Sequence, residues 1–308
     1  LEPTSGSTAP SKLIPYTKGL KKEFQNGIGP WIFDIYTKRR KLLTGSAYWS
    51  ITPIIRNQKP IKSKIPIGFE ADTEYFGFPQ KYFLNLTLAV PIEVNEIEYI
   101  GDFKYVTLLF LLRDKHLTFV SIWNPTYLTF FLDDIENLSE SFLKDIENGK
   151  IDTKIKLDAN LRKKLERKLG KNRNRAKELR TILHKWKSIN NWNKKSLYEG
   201  IWPNLSLISF WTYCSSSSYI NHVKKYFPRV KIQGKGLIAT EAFVSFPVIG
   251  EKASILAINS HFFEFIAIKT GEIKLAHELT LNRQYSVVVT TSGGLYRYKL
   301  HDIVEVVG

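Results

Sequence analysis

A run of small and hydroxyl residues near the start of the chain could bind a phosphate group. The run covers residues 4–12 and reads Thr-Ser-Gly-Ser-Thr-Ala-Pro-Ser-Lys. A glycine lets backbone amides approach a phosphate, the hydroxyls add donors, and Lys12 adds positive charge. The spacing is not that of a Walker A loop, so the run taken alone is more often a flexible surface loop than a phosphate site.

Two further segments carry carboxylates where a nucleotide could bind. Thr240 and Glu241 follow an apolar strand that ends at Ile238. An open α/β sheet places ligands at strand ends, and one glutamate can hold Mg²⁺ when water and phosphate oxygens complete its shell. Residues 290–302 contain a Gly-Gly turn and an aromatic, basic strand ending on Asp302, whose carboxylate could accept bonds from both hydroxyls of a ribose. Taken singly, each segment also fits an ordinary polar turn or hairpin.

The hydrophobic pattern predicts the elements that must position these residues. Helices are predicted over residues 19–36, 103–115, 124–148 and 219–227, and two basic helices between 158 and 186 are broken near Gly170. Strands are predicted over residues 117–123, 205–211, 230–238, 244–248, 254–258, 262–268, 286–291 and 296–307. Alternating strands and helices followed by a strand-rich part predict the α/β class, with mixed or parallel sheets, packed helices and a β-rich distal part.

Length and composition indicate a globular intracellular domain. The 308 residues, 43% of them hydrophobic, suffice for one large domain or two small ones. Cys214 is the only cysteine, so no intrachain disulfide forms, and we expect a reducing, cytoplasmic location. The most apolar stretch, residues 106–112, is too short to cross a bilayer. Because the chain begins at Leu1 and has no methionine, we expect a fragment.

The net charge of +16 is concentrated in one stretch. Residues 161–187 hold twelve Lys or Arg and two acidic residues, which could serve nucleic acid or an anionic membrane. However, Leu161, Leu165 and Leu169 recur every four residues, as in an amphipathic helix packed on a core. No aromatic residue interleaves with the charges before Trp186, as a single-strand binder would require. We therefore expect a solvated helical face, with no nucleic-acid and no membrane partner.

The order and spacing of the three motifs resemble the nucleotide-binding motifs of the adenylate-forming superfamily, which includes acyl-CoA synthetases, luciferases and peptide-synthetase adenylation domains. More closely, the chain is similar to the auxin-responsive acyl-acid amido synthetase family of plants and its bacterial relatives. The similarity covers nearly the whole chain. It includes three further segments, Ser-Ile-Trp-Asn-Pro-Thr at 121–126, Ser-Phe-Trp-Thr at 209–212 and Phe-Phe-Glu-Phe-Ile at 262–266.

This resemblance implies a reaction and a domain. Residues 1–308 would be a partial adenylating, AMP-binding domain that lacks its N-terminal start and its small C-terminal domain. A basic helical segment would occupy about 125–190 and a β-rich part about 205–308. The enzyme would use ATP and Mg²⁺ to activate a carboxylic acid as an acyl-AMP and pass the acyl group to an amino acid or other amine. An acyl-CoA-type ligase and a non-catalytic basic binding module remain alternatives, and so does a degenerate member of the family.

The resemblance also implies residue roles. Thr240 would contact the α-phosphate, Glu241 would bind Mg²⁺, Asp302 would hold the ribose hydroxyls and Tyr298 would pack near the nucleotide. The phosphate loop would consist of Ser5, Gly6, Ser7 and Thr8, with Lys12 at its end. Four aromatic residues in or beside the strand ends that precede the motifs are candidates for the wall of the acyl pocket: Trp123, Trp211, Tyr213 and Phe243.

Three positions depart from the superfamily pattern. Ala9 replaces a second glycine that many members have in the loop, and Leu237 replaces a tyrosine that stacks on adenine. His301 stands where a glycine usually precedes the aspartate. Since histidine adopts unusual φ angles more readily than most residues but less readily than glycine, the turn at Asp302 is the place to examine.

Overall fold

The computed structural model describes residues 2–3, 12–50, 87–136, 140–188, 194–212 and 218–308, which form layered sheets and helices. The helices are α1 (Lys18–Lys38), α2 (Ile100–Arg113), α3 (Pro125–Glu136), α4 (Glu140–Asn148), α5 (Ala159–Leu169), α6 (Arg173–Ser188), α7 (Lys194–Ile201) and α8 (Ser218–Tyr226). The strands are β1 (Glu2–Pro3), β2 (Leu13–Ile14), β3 (Ser46–Trp49), β4 (Leu117–Ser121), β5 (Leu207–Phe210), β6 (Lys231–Gly234), β7 (Ser245–Pro247), β8 (Ser254–Leu256), β9 (Phe262–Ala267), β10 (Ile273–Lys274), β11 (Gln284–Thr290) and β12 (Tyr298–Glu305).

A parallel four-stranded sheet lies at the centre of the first part of the chain. Its strand order is β3-β4-β5-β6, and every neighbouring pair is parallel. All residues of β4 and β5 are buried, which explains why these strands read as continuous apolar runs. Because side chains alternate across a strand, Phe119 packs on the face covered by α1, whereas Val120 packs on the opposite face. The fold therefore has helices on both faces of the sheet.

The two faces carry separate hydrophobic clusters. On one face, α1 packs against Trp49, Phe119 and Phe243. The other face is covered by α2 to α8, which bury the larger of the two clusters. Helix α1 begins at Thr17, whose hydroxyl accepts a hydrogen bond from the Leu20 backbone N–H at 3.1 Å. This cap fixes where the chain turns into the helix after the phosphate-loop motif.

The basic helices α5 and α6 lie on the core as the spacing of their leucines predicts. Leu161, Leu165 and Leu169 are all buried. Asp158 caps the start of α5, and the helix ends at Gly170, whose φ of +56° favours glycine. The amphipathic interpretation of this segment is therefore confirmed. Part of its basic charge is paired with carboxylates, through Lys168–Glu93, Arg175–Glu178, Arg180–Glu140 and Arg180–Glu147.

An antiparallel sheet forms the distal part of the chain. Its strand order is β10-β9-β11-β12, and a hairpin of β7 and β8 precedes it. A third cluster, which includes Phe265, Val287 and Val289, packs on this sheet. The predicted α/β class, with a β-rich distal part, is confirmed.

Two predicted elements differ from the structure. The helix predicted over 124–148 consists of two helices, α3 and α4, and residues 137–139 between them lie outside the described part. The strand predicted over 230–238 ends at Gly234, because the chain then turns so that Ile238 forms an isolated bridge with Phe243. Among the described residues, no helix has the length and apolar character needed to cross a membrane.

Candidate active site

Three segments far apart in the sequence meet at the candidate site. Lys12 Nζ donates to Tyr298 Oη at 3.1 Å, and Tyr298 Oη donates to Glu241 Oε1 at 3.2 Å. Lys12 follows the phosphate-loop motif, Tyr298 opens β12, and Glu241 lies between β6 and β7. This hydrogen-bond chain therefore connects all three motifs that the sequence singles out.

The electrostatics of this chain favour a charged lysine. The hydrogen bond to Tyr298 raises the pKa of Lys12, and electrostatic interaction with Tyr298 and with Glu241 adds to the effect. Lys12 Nζ also lies 5.2 Å from the centre of the Tyr298 ring. The ammonium group is exposed, so it is available to an anionic ligand at neutral pH.

The Thr240 segment is held by a tyrosine that sequence reasoning missed. Tyr16 Oη donates to the backbone oxygen of Thr240 at 2.6 Å. The Tyr16 ring contacts Phe24 of α1, with ring centres 5.5 Å apart. The link between the start of the chain and Thr240 thus spans more than two hundred residues. The only sequence signal for it was an aromatic residue close to Lys12.

Asp302 is close enough to Glu241 for the two carboxyl groups to interact electrostatically. Although Asp302 is exposed overall, partial burial of its carboxyl raises its pKa, and the charge of Glu241 raises the pKa further. The neighbouring His301 acts in the opposite direction. A carboxyl group whose ionisation is disfavoured in this way gains from hydroxyl donors or a cation nearby.

A bulge in β12 sets the direction of Asp302. Ser286 pairs with Ile303, and Val288 pairs with Lys299, so three residues of β12 stand opposite the single residue Val287. The middle one, His301, has a φ of +68°. This is the left-handed region that glycine adopts at no steric cost, which agrees with the glycine expected there from the family pattern.

The structure places only part of the predicted acyl-pocket wall. Trp123 and Trp211 lie together beyond the ends of β4 and β5, with ring centres 5.4 Å apart. The Trp211 backbone N–H donates to the Trp123 oxygen at 3.0 Å. Because these residues follow the carboxyl ends of parallel strands, they occupy the edge where such sheets bind ligands. Tyr213 lies outside the described residues.

Phe243 has a different place from the one predicted. It is fully buried against Phe24 and Gly27 of α1, and a Cβ added at Gly27 would lie only 2.2 Å from the Phe243 ring. This packing makes Phe243 a core residue that anchors the end of the Thr240–Phe243 segment to α1. It gives no support to a role in the pocket wall, since the ring is enclosed by the helix.

The phosphate-loop residues Ser5, Gly6, Ser7 and Thr8 lie outside the described part of the chain, and so does Ala9. Their roles therefore stay predictions. Leu237 is described: it packs against the third cluster.

A buried lysine at the sheet edge was also missed by sequence reasoning. Lys235 is 2% exposed and donates to Ser121 Oγ at 2.8 Å. Its Nζ lies 4.9 Å from the ring centre of Trp31, 5.9 Å from that of Trp49 and 4.7 Å from that of Trp123. Cation–π contacts of this kind offset part of the cost of burying a charge. No motif predicts them, because the three indoles come from three separate elements.

Comparison with solved structures defines the class of fold. The structure of the GH3.15 acyl acid amido synthetase matches this chain with a TM-score of 0.79, over 100% of this chain and 53% of its own, at 17% sequence identity. AtGH3.15 acyl acid amido synthetase in complex with 2,4-DB gives a TM-score of 0.82 over the same shares, at 18% identity. The fold is therefore that of these acyl acid amido synthetases.

Sequence comparison identifies the family. Residues 1–232 match the GH3 family N-terminal domain and residues 254–308 match the GH3 family central domain, so the chain belongs to the GH3 family. It is 26% identical to the indole-3-acetic acid-amido synthetase GH3.10 of Arabidopsis thaliana over 268 residues, which cover 77% of this chain and 44% of that protein. It is 29% identical to the probable indole-3-acetic acid-amido synthetase GH3.9 of Oryza sativa subsp. japonica over 119 residues, or 35% of this chain and 26% of that protein. The chain thus spans about half the length of its relatives or less.

Proposed function

We propose that this chain is the nucleotide-binding part of an ATP-dependent ligase that activates a carboxylic acid as an acyl-AMP and passes the acyl group to the amine of an amino acid. In this proposal residues 1–308 belong to an adenylating domain. The observation that carries it is the Lys12–Tyr298–Glu241 hydrogen-bond chain, with Asp302 beside Glu241. The relatives named above are amido synthetases, which supports the same reading.

ATP binding would use the opposite charges of this site. Lys12, together with the backbone of the 5–8 loop, would neutralise phosphate oxygens, because its raised pKa keeps it fully charged. Asp302 would accept hydrogen bonds from the ribose hydroxyls, which are stronger when the acceptor is charged. Partial burial and the charge of Glu241 raise the pKa of Asp302, and hydrogen bonds from the ribose hydroxyls to its carboxylate would offset that effect.

Glu241 fits a magnesium ion as a single protein ligand. Among the described residues, no three acidic, histidine or cysteine side chains gather into a metal-binding group. Mg²⁺ commonly binds one or two carboxylates and takes its other ligands from water and substrate phosphates. Glu241, with Asp302 near it, has the hard oxygen donors this needs. When bound, the ion would neutralise charge on the phosphate oxygens.

The proposed reaction has two steps. A carboxylate oxygen of the acid attacks the α-phosphorus of ATP, the bond to pyrophosphate breaks, and acyl-AMP forms. The amine nitrogen then attacks the acyl carbon, AMP leaves, and the nitrogen loses a proton. Lys12 and Thr240 would hold the α-phosphate in place during the first step, since such chemistry depends on positioning and charge neutralisation.

The Trp123–Trp211 pair would form one wall of the acid site. Both rings lie at the carboxyl edge of the parallel sheet and offer indole faces to an apolar or aromatic acid.

The test is a turnover assay on the natural full-length protein with ATP, Mg²⁺, a panel of carboxylic acids and a pool of amino acids. Pyrophosphate release and amide products would be measured together. The Asp302→Ala variant should lose acid-dependent release, whereas Glu305→Ala, on the same strand and exposed, should keep it. Release with an amide product supports the proposal. Release with a thioester only, when CoA is supplied, would move the acceptor to a thiol, and no release from folded protein would contradict a ligase.

A further inference from the structure

A buried histidine connects two segments that the proposed mechanism needs. His261 lies immediately before β9, and its side chain has no exposed surface. Its Nδ1 is 2.9 Å from Glu23 Oε2 of α1, and its Nε2 accepts the backbone N–H of Phe243 at 3.0 Å. Phe243 follows Glu241 by two residues, so the histidine fixes one end of the Thr240–Glu241 segment.

The hydrogen bonds define the state of the ring. Because Nε2 accepts from a backbone N–H, it carries no proton, and the ring proton lies on Nδ1 and is donated to Glu23. The ring is therefore neutral. Burial lowers the pKa of His261, and this outweighs the charge of Glu23, which acts to raise it. Among the described residues, the other rings packed on it are Phe24 and Phe263, so Glu23 is the titratable group that faces it.

Glu23 also holds the turn that precedes Tyr298 and Asp302. Its two carboxylate oxygens accept the Ser292 backbone N–H at 3.0 and 3.2 Å. Thr17, the cap of α1, donates to the Ser292 oxygen at 3.4 Å. A Cβ added at Gly293 would lie 3.0 Å from Leu20, so the turn rests directly on the helix. One carboxylate thus contacts both the turn and the histidine.

We infer that Glu23 and His261 are a positioning pair that holds the Thr240–Phe243 segment and the Ser292–Gly294 turn in register on α1. This inference rests on the proposed function, since it assigns the pair to the placement of Glu241 and Asp302. Neither residue needs to touch the substrates. A shift of either segment would change the separation of the two carboxylates, and small displacements of binding groups can cost up to about 100-fold in rate.

The pair makes the segment sensitive to acid. Protonation of His261 puts a hydrogen on Nε2, which can then no longer accept from Phe243. Since burial lowers the folded-state pKa of His261 below the ordinary value of 6.5, the bond is intact at neutral pH and is lost as the pH falls through that lowered pKa.

The first test needs no variant and no ligand. A long-range proton–nitrogen NMR spectrum of the imidazole should show the proton of His261 on Nδ1 at pH 7.5. The Phe243 amide should be protected from exchange at that pH and lose protection as the pH is lowered. A proton on Nε2, a charged ring at pH 7.5 or an unprotected Phe243 amide would overturn the inference.

The second test breaks the pair with a nearly isosteric change. In Glu23→Gln, one carboxylate oxygen is replaced by an NH₂ group. That group must face either the Nδ1–H of His261 or the N–H of Ser292, so a hydrogen-bond donor points at another donor. We expect the Phe243 and Ser292 amides to exchange at least about 10-fold faster than in the wild type. Glu251→Gln, in the exposed turn between β7 and β8, should leave both unchanged. Unchanged exchange in Glu23→Gln would refute the pair.

The third test separates this inference from the proposed function. In the full-length protein, Glu23→Gln should raise the KM for ATP about 10-fold or more, with a smaller change in KM for the amine. In His261→Gln, the side-chain oxygen can still accept the Phe243 N–H but does not titrate, so exchange of the Phe243 amide should lose its acid sensitivity. The control is His277→Gln, at an exposed position, in which the Phe243 amide should stay sensitive to acid. Faster exchange without any change in KM would overturn the positioning role. A wild type that binds no ATP would refute the proposed function, while the exchange results would still decide whether the pair couples the two segments.

Discussion

The two four-stranded sheets in the described part of the chain bury their strands in different ways. In the parallel sheet, β4 and β5 are buried along their whole length because helices cover both faces. In the antiparallel sheet, the centre of β11 is buried, but β12 is exposed or half-buried throughout. Stability should therefore reside mainly in the first sheet. The second sheet is left with exposed side chains that can contact ligands or other protein surfaces.

The candidate site lies where these two regions meet. Lys12 comes from the start of the chain, Glu241 from the segment between the sheets, and Tyr298 and Asp302 from β12. The difference between the regions teaches that the buried parallel sheet supplies rigidity, whereas the groups of the candidate site come from the exposed strand β12 and from two segments outside both sheets. Substitutions in the two regions should therefore separate stability from nucleotide binding.

The largest effect on stability is expected for Phe119→Ala. Phe119 is fully buried in β4 and contacts Trp49, with ring centres 5.3 Å apart. The loss should be roughly 3–5 kcal/mol of unfolding free energy, because truncation leaves a cavity in a packed core. Phe262→Ala in β9, where the side chain is 56% exposed, should change stability by less than about 0.5 kcal/mol. Chemical denaturation of both variants would show this, and equal losses would contradict the comparison.

The next effect should be on binding, with stability retained. Asp302→Ala should weaken ATP binding by roughly 10- to 100-fold, because a hydrogen bond to a charged group contributes about 1.5–3 kcal/mol. Its melting temperature should stay close to that of the wild type, since Asp302 is exposed. Calorimetric titration with ATP and Mg²⁺ measures the affinity, and Glu305→Ala is the matched control on the same strand. An unchanged affinity in Asp302→Ala would remove the ribose role.

A smaller, pH-dependent effect should come from His261 at the border of the two regions. Its folded-state pKa is lowered, so between that value and 6.5 the unfolded chain binds more protons than the folded chain. Stability should be unaffected above pH 6.5 and fall as the pH drops below it, by at most about 1.4 kcal/mol per pH unit from this group. Denaturation at several pH values should show a shallower acid loss in His261→Gln than in the wild type. Parallel curves would contradict the assignment of a neutral buried ring.

The smallest effects are expected at the bulge in β12. Replacing His301 by glycine should stabilise the protein slightly or leave it unchanged, because glycine adopts a φ of +68° without strain. Replacing it by valine should cost about 1–2 kcal/mol, since a β-branched side chain disfavours this conformation. Thermal unfolding of the two variants would measure the difference. A glycine variant less stable than the valine variant would show that the histidine side chain, and not the backbone, holds the bulge.

Much of the local structure could be predicted, and the reasons for the failures are physical. The helix predicted over 19–36 corresponds to α1, which spans Lys18–Lys38, because periodic apolar residues identify it in the sequence. The single helix expected over 124–148 is described as two helices, α3 and α4, since an apolar pattern by itself does not mark where one helix ends and the next begins. Phe243 was expected in a pocket wall and lies in the core, because an aromatic residue near a motif looks the same in either place.

By itself, the sequence determined the class of fold, the family and the carboxylates that could bind a nucleotide, because apolar periodicity and motif spacing are local properties of the chain. The tertiary structure alone decided which of these residues meet. The Lys12–Tyr298–Glu241 chain crosses 286 residues, and the Glu23–His261 contact crosses 238. Such contacts depend on how two sheets pack around α1, and no spacing along the chain encodes that packing.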